Sequence, residues 1–506
     1  MNLNNEFALD DLYKIIPLFF TAVILMAIAY FLPFSQTNVL FLIFSTFFFS
    51  IAISIQVNKN SYFFSIYLWS VFYFFFPKKP LVSGLDSVLE LLVNLPIEIS
   101  NNVYFSFYDI INSIILIAIL NKVLKNKFEN KTGQKLIKIF SSLILIALIQ
   151  NIFYNIFLVE KLGSNFLEQY HFFLQLFSGL IFSSIIYLSL KNTKQINYIF
   201  SLAILSSLIT AFEYYLAITG LLPDVLKYFI LDYRGGLRSL IHSGSLMSGH
   251  ILFIGFLGLL RKRSFYSLTL IFLLIPPAFF TYERSVALLF IITAIIFSIN
   301  TFYISRENFL RFSLVGAISI LLISPLIFQF NSSIAENFDS TLNQSQYADS
   351  RIKSQGWFTF QSSDDRFSMA LRGLDIFYKY PVLGCGPGNI RLMMGFQEVI
   401  PHANIFFMNQ RTIQGYFDNI NGYHISNAHN IYINFLAELG IVGIFILFQL
   451  IKIIFKESKK YGFLLNKNII GISGIISFMF YGLFQVTPLS FPVILFLFRT
   501  MEIDST

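Results

Sequence analysis

Apolar runs of about 16 to 22 residues, separated by short polar stretches, recur along almost the whole chain, and each is long enough to cross a bilayer as a helix. They place spans near residues 15–34, 38–56, 62–77, 103–120, 139–159, 171–190, 197–219, 243–260, 265–281, 285–303, 312–330, 431–451, 468–487 and 489–498, about 14 in all. Backbone polar groups in lipid must be satisfied within the segment, so helices are the expected form. The weak alternation of a membrane β-barrel is absent. The pattern predicts an all-α, polytopic transmembrane bundle with both termini on one side.

The pattern changes once. Residues 331–428 form a long polar loop between the eleventh and twelfth spans, and loops of such length are usually functional or disordered. Residues 331–363 are rich in Ser, Asn, Gln and Asp. From Asp364 order is expected. Asp364 and Asp365 can cap a helix, and Phe367, Leu371, Leu374 and Phe377 or Tyr378 recur at helical spacing. This predicts an amphipathic helix on the outer membrane surface, stopped by Pro381. Gly384, Gly386 and Gly388 then make a tight turn. The chain divides into N-terminal helices (1–230), central helices (231–330), the loop (331–430) and C-terminal helices (431–506).

With 56% hydrophobic and 12% charged residues, the composition excludes an ordinary soluble domain. The net charge of +8 raises nucleic acid as a partner, but its distribution argues against it. With the N-terminus in the cytoplasm, 21 of the 35 Lys and Arg fall in cytoplasmic loops and ends. The short outer loops hold 7 and the long loop 7. That is the positive-inside signature, so the basic charge sets topology and places both termini in the cytoplasm. The first apolar run lacks the basic leader and cleavage site of a signal peptide. A single cysteine, Cys385, leaves no internal disulfide framework.

The candidate chemistry gathers on the outer face. Arg284 lies in the short turn between the ninth and tenth spans, and Arg234 and Arg238 precede the eighth. Arg366 and Arg372 are expected on one side of the loop helix, and His429 opens the twelfth span, with Asn430 beside it. Guanidinium forks suit phosphate oxygens. A histidine at a helix N-terminus is expected to stay neutral near pH 7, where it can accept a proton, and the same terminus favours an anion. A neutral base beside an anion site is what glycosyl transfer from a lipid diphosphate needs: an acceptor hydroxyl loses a proton while the leaving diphosphate gains charge. No Asp-x-Asp motif points to a metal-bound nucleotide sugar, and no metal or cofactor is expected. Each residue also has a plain structural reading. His429 could cap its helix, and the arginines could snorkel at the interface. Glu438 would serve as a buried hydrogen-bonding group, with Gly440 and Gly443 admitting a neighbouring helix. The glycine turn would shape the loop or nest a phosphate. Asp109 and Glu213, inside apolar runs, would pair within the bundle.

At these residues the chain resembles the O-antigen ligase and polymerase superfamily of bacterial envelope enzymes. The resemblance covers roughly residues 230–455. It is carried by Arg284 in a short turn, by the glycine turn at Gly384, Gly386 and Gly388, and by His429-Asn430 followed by Glu438, Gly440 and Gly443. It implies an all-helical, metal-independent enzyme of the type C glycosyltransferase class, acting at the periplasmic face of the bacterial inner membrane on undecaprenyl-diphosphate-linked glycans. The acceptor would be a glycan or lipid A-core, and other polysaccharide assembly proteins would be partners. His429 would be the base, Arg284 and Arg238 would hold the diphosphate, and Arg234, Arg366 and Asn430 would assist. Two departures stand out: Glu283 and Ser285 flank Arg284 where the family has Ser-Arg-Gly, and the match around Arg238 is loose.

Polymerisation of repeat units is the leading expectation, because about 14 spans fit polymerases better than the number usual for ligases. Transfer to lipid A-core is the close alternative. A polysaccharide flippase would show functional charges at mid-membrane and internal repeats, whereas the candidate charges gather at one face and no repeat is evident. An inert scaffold would tolerate loss of His429.

Overall fold

The computed structural model describes residues 62–75, 97–100, 103–105, 131–157, parts of 173–190, 191–221, 245–262, 265–281, 284–304, 361–394, 428–460, 469–483 and 490–505, with single positions such as 239 and 314. Its helices are α1 (Tyr62–Phe75), α2 (Lys131–Phe157), α3 (Thr193–Ile218), α4 (Ser245–Lys262), α5 (Phe265–Phe280) and α6 (Arg284–Ile304). After these come α7 (Gln361–Lys379), α8 (Ile390–Met394), α9 (Ile431–Lys460), α10 (Ile469–Tyr481) and α11 (Ser490–Ser505). Among the described residues, four stretches are long and apolar enough to cross a membrane: Lys131–Ile152, Thr193–Ile218, Ser285–Tyr303 and Ile431–Glu457. All four fall on spans expected from hydropathy. The spans expected at 15–34 and 38–56, nearly all of 312–330, and all of 103–120 beyond Phe105 lie outside the described residues.

One element departs from the all-α expectation. Ile97–Ser100 (β1) and Val103–Phe105 (β2) pair antiparallel, with Ile97 opposite Phe105 and Glu98 opposite Tyr104. The two strands carry the β-branched residues Ile97, Ile99 and Val103 and the aromatic residues Tyr104 and Phe105. The first positions of the span expected at 103–120 are therefore strand.

Burial sorts each helix into a packed and an open face. On α2, Leu136, Phe140, Leu143 and Ala147 are buried, whereas Leu145, Leu148, Ile149 and Ile152 are 44–60% exposed. An open apolar face at helical spacing is what lipid would cover. Inside, α3 packs along α4, and α6 packs along α10. Phe253, Phe256, Phe290 and Phe478 interlock edge-on or tilted where α4, α6 and α10 meet.

Polar contacts sort the helix ends into two rims. At one rim Arg261 ends α4 and pairs with Asp504 at the end of α11, while its Nε donates to Asn197 at the start of α3. Arg499 donates to the carbonyl of Leu190 and to Glu502 at 2.9 Å, and Lys135 at the start of α2 lies 3.6 Å from Glu457 near the end of α9. The opposite rim collects the end of α10 and the starts of α4, α6 and α9. His250 stacks edge-on against Tyr481, and a Cβ on Gly249 would lie 2.5 Å from Val286. The N–H of Ile431 donates to the carbonyl of Gly482 at 2.8 Å. Arg284, which opens α6, and His429, just before α9, therefore share a rim. Lys131, Lys135, Lys191, Lys194, Arg261, Lys262, Lys456 and Arg499 gather at the other.

Candidate active site

His429 is held at the mouth of α9 by bonds on every side. Asn430 caps the helix, its Oδ1 accepting from the N–H groups of Tyr432 at 3.0 Å and Ile433 at 3.1 Å. The N–H of Ala428 donates to Oδ1 of Asn434 at 3.3 Å, and Tyr432 Oη donates to the carbonyl of Met479 at 2.8 Å. Between these anchors His429 takes a φ of +48°, in the left-handed region. It is the single non-glycine residue there among those described. A side chain held in that region costs about 1–3 kcal/mol, and such strain concentrates at functional sites. The ring is half-buried.

This geometry revises the expected anion site. The N–H of Ile431 is taken by Gly482, and those of Tyr432 and Ile433 by Asn430. The N-terminus of α9 is thus not a row of open donors, and Asn430, expected on the diphosphate, spends its side-chain oxygen as a cap.

The helix below His429 is broken. Gly440 has φ +62° and ψ −163°, a conformation essentially reserved for glycine. In an unbroken helix the N–H of Ile441 would reach Ala437; it donates instead to the carbonyl of Pro381 at 2.9 Å. The carbonyls released by the break find partners outside the helix. Ala437 accepts from the N–H of Cys385 at 2.9 Å, and Glu438 accepts from Gly386 at 3.0 Å. Leu439 accepts from the side-chain amide of Gln150 on α2 at 3.2 Å, and the same amide donates to the carbonyl of Leu383.

The glycine turn is the plug of this break. Gly384, Gly386 and Gly388 have φ of +72°, +94° and +70°. A Cβ on Gly384 would lie 2.3 Å from the carbonyl carbon of Glu438, and one on Gly440 2.3 Å from the carbonyl oxygen of Val382. The turn's N–H groups at Cys385 and Gly386 point at α9, so they shape a loop rather than nest a phosphate. Gly440 admits this turn rather than the neighbouring helix expected. Glu438 and Cys385 are both buried beneath the turn. Burial pushes the Cys385 thiol well above its ordinary range, and the neighbouring Glu438 carboxylate adds to the effect.

The loop helix α7 begins at Gln361, slightly before the expected Asp364, and packs on the upper half of α9. Its buried stripe is Ser368, Arg372, Asp375 and Ile376. A Cβ on Gly373 would lie 2.8 Å from Ile433 and 3.1 Å from Ala428, so the helices nearly touch beside His429. Arg372 is fully buried, donates from Nε to the carbonyl of Met394 at 2.9 Å, and lies 3.6 Å from Asp375. It cannot line an open side with Arg366, which is half-buried and lies about a third of a turn round the helix. Phe367 and Tyr378, in the apolar stripe expected to face lipid, are 54% and 63% exposed.

Arg284 opens α6, and its side chain lies outside the described residues, as do Arg234 and Arg238. Asp109, His402 and His424 lie outside them too. Ser239, one bond beyond Arg238, is buried at the shared rim. Its Oγ donates to Glu213 of α3 at 2.6 Å, and its N–H donates to Oγ of Ser248 at 2.8 Å. Glu213 thus pairs inside the bundle as expected. Sequence reasoning missed Gln150 and Asn434. An amide inside the apolar run of α2 was the available signal, because amides in lipid are costly unless used.

Residues 267–448 match the family model described as O-antigen ligase. The match takes in Arg284, α7, the glycine turn, His429 and the break at Gly440. No curated protein matches the chain.

Proposed function

From its place in the O-antigen ligase/polymerase superfamily, we propose that the chain is a glycosyltransferase using a polyprenyl-diphosphate-linked oligosaccharide at the periplasmic face of the bacterial inner membrane, and that it polymerises repeat units. The observation that carries this reading is His429, strained and anchored at the rim where Arg284 opens its helix. A ring nitrogen of His429 takes the proton from the acceptor hydroxyl as its oxygen bonds to the anomeric carbon. The bond from that carbon to the diphosphate oxygen breaks, and the polyprenyl diphosphate leaves with the electron pair. Arg284, with Arg238, Arg234 and Arg366, balances the charge developing on the diphosphate. The basic opposite rim supports a cytoplasmic assignment for that side.

Ligation onto lipid A-core is the second reading, favoured by the ligase description of the matched family. The glycolipids of a deletion strain separate the two. Loss of a polymerase leaves single repeats on the core, whereas loss of a ligase leaves long chains on the carrier lipid. Unaltered glycolipids would remove both readings.

A further inference from the structure

We infer that Gln150, on α2 and outside the family-matched region, is a positioning residue for His429: its amide holds open the break in α9 that fixes the helix half carrying the histidine. The inference rests on the proposed role of His429.

Gln150 is 2% exposed. A buried amide in a membrane span is unfavourable unless its hydrogens find acceptors. Its Nε2 donates to Leu439 on α9 and to Leu383 in the glycine turn, so one group ties the broken helix to the turn that fills the break. Gly440 gives α9 two arrangements. In the broken one, Ala437, Glu438 and Leu439 use the turn and Gln150 as donors. In a continuous helix the carbonyl of Leu439 would accept from Gly443 instead, as the ladder four residues on requires. Closing the ladder would evict the turn, whose Gly384 sits against the Glu438 backbone. It would also re-aim the upper half-helix, at whose far end His429 lies about 15 Å from Leu439. Without Gln150 the carbonyls of Leu383 and Leu439 lose a buried donor, and the continuous form gains.

The sole cysteine reports on this directly, because Cys385 is 2% exposed and its N–H is bonded to Ala437 in the broken form. In purified full-length protein, Gln150→Met keeps the side chain's size and removes the donor. The expected result has two parts. Maleimide labelling of Cys385 rises about 10-fold or more, and kcat with a lipid-diphosphate oligosaccharide falls about 10- to 100-fold while KM for that donor stays within about 3-fold, the pattern of a misplaced group rather than a lost binding contact. Gln150→Glu supplies a donor only while protonated. Its kcat relative to wild type should therefore fall as pH is raised, and this variant carries the test if Gln150→Met does not accumulate. Labelling and kcat both within about twofold of wild type would overturn the inference. So would a change in one without the other. A His429→Ala protein that keeps full activity would instead remove the proposed role of His429, and the labelling would still decide whether Gln150 holds the break.

Discussion

The backbone N–H of Cys385 donates to the carbonyl of Ala437 at 2.9 Å, joining a turn of the long polar loop to the second turn of a membrane-length helix. With the neighbouring bond from Gly386 to Glu438, it makes loop and helix one unit. Residues 381–386 of the loop are therefore part of the scaffold around the break in α9.

Glycine is required on both sides of this junction. Gly384→Ala and Gly440→Ala should each cost about 1–3 kcal/mol from the left-handed backbone alone, before the clash with the facing backbone. Both should lower the thermal midpoint in detergent. Because the two glycines face one contact, the double variant should lose less than the sum of the singles. Additive losses would show that the junction is not shared.

Asn430 should behave as a cap. Asn430→Ala should cost about 1 kcal/mol, while Asn430→Asp and Asn430→Ser keep most of the stability. Thermal midpoints give the order. If Asn430→Ser kept its stability but lost transfer activity, the amide would be a substrate contact.

Arg372 and Asp375 should be structural partners. Arg372→Met leaves a carboxylate buried beside α8 and should cost about 3–5 kcal/mol, with Arg372→Met/Asp375→Leu recovering much of the loss. Arg366→Ala should leave stability nearly unchanged and slow transfer. The two arginines are thus told apart by comparing expression and thermal midpoint with the activity of the protein that remains.

At the basic rim, burial raises the Glu502 carboxyl above its ordinary range, with the hydrogen bond from Arg499 partly opposing it. A raised folded-state pKa means that the native protein binds this proton more tightly than the unfolded chain. The contribution is present below the unfolded-state pKa and is lost as pH rises through the folded-state value. Glu502→Gln removes that loss. Relative to wild type, its thermal midpoint should therefore be more favourable at pH 8 than at pH 4, and an equal difference at both pH values would contradict this.

Much of the helical plan was legible in local pattern. The apolar runs found α2, α3, α6 and α9, and the period of Phe367, Leu371 and Leu374 found α7. The apolar run from 431 found the start of α9, and the glycine spacing found the turn at 384–388. The break at Gly440 was not legible, because Ile433 to Phe445 reads as one apolar helix. Its cause is a hydrogen-bonding partner remote in sequence, and periodicity carries no trace of such partners. The same holds for Gln150 and for Arg372, whose inward side is set by Met394 and Asp375. The strand at 103–105 was hidden because Val103, Tyr104 and Phe105 suit an apolar span as well as a strand.

In the proposed reaction His429 withdraws the proton from an acceptor hydroxyl during transfer from a lipid diphosphate. The direct measurement is single-turnover transfer by the purified protein with a defined polyprenyl-diphosphate oligosaccharide, following product length and released polyprenyl diphosphate with and without lipid A-core. His429→Ala, folded as wild type, should release that product at least about 100-fold more slowly. Release at the wild-type rate would exclude His429 as the base.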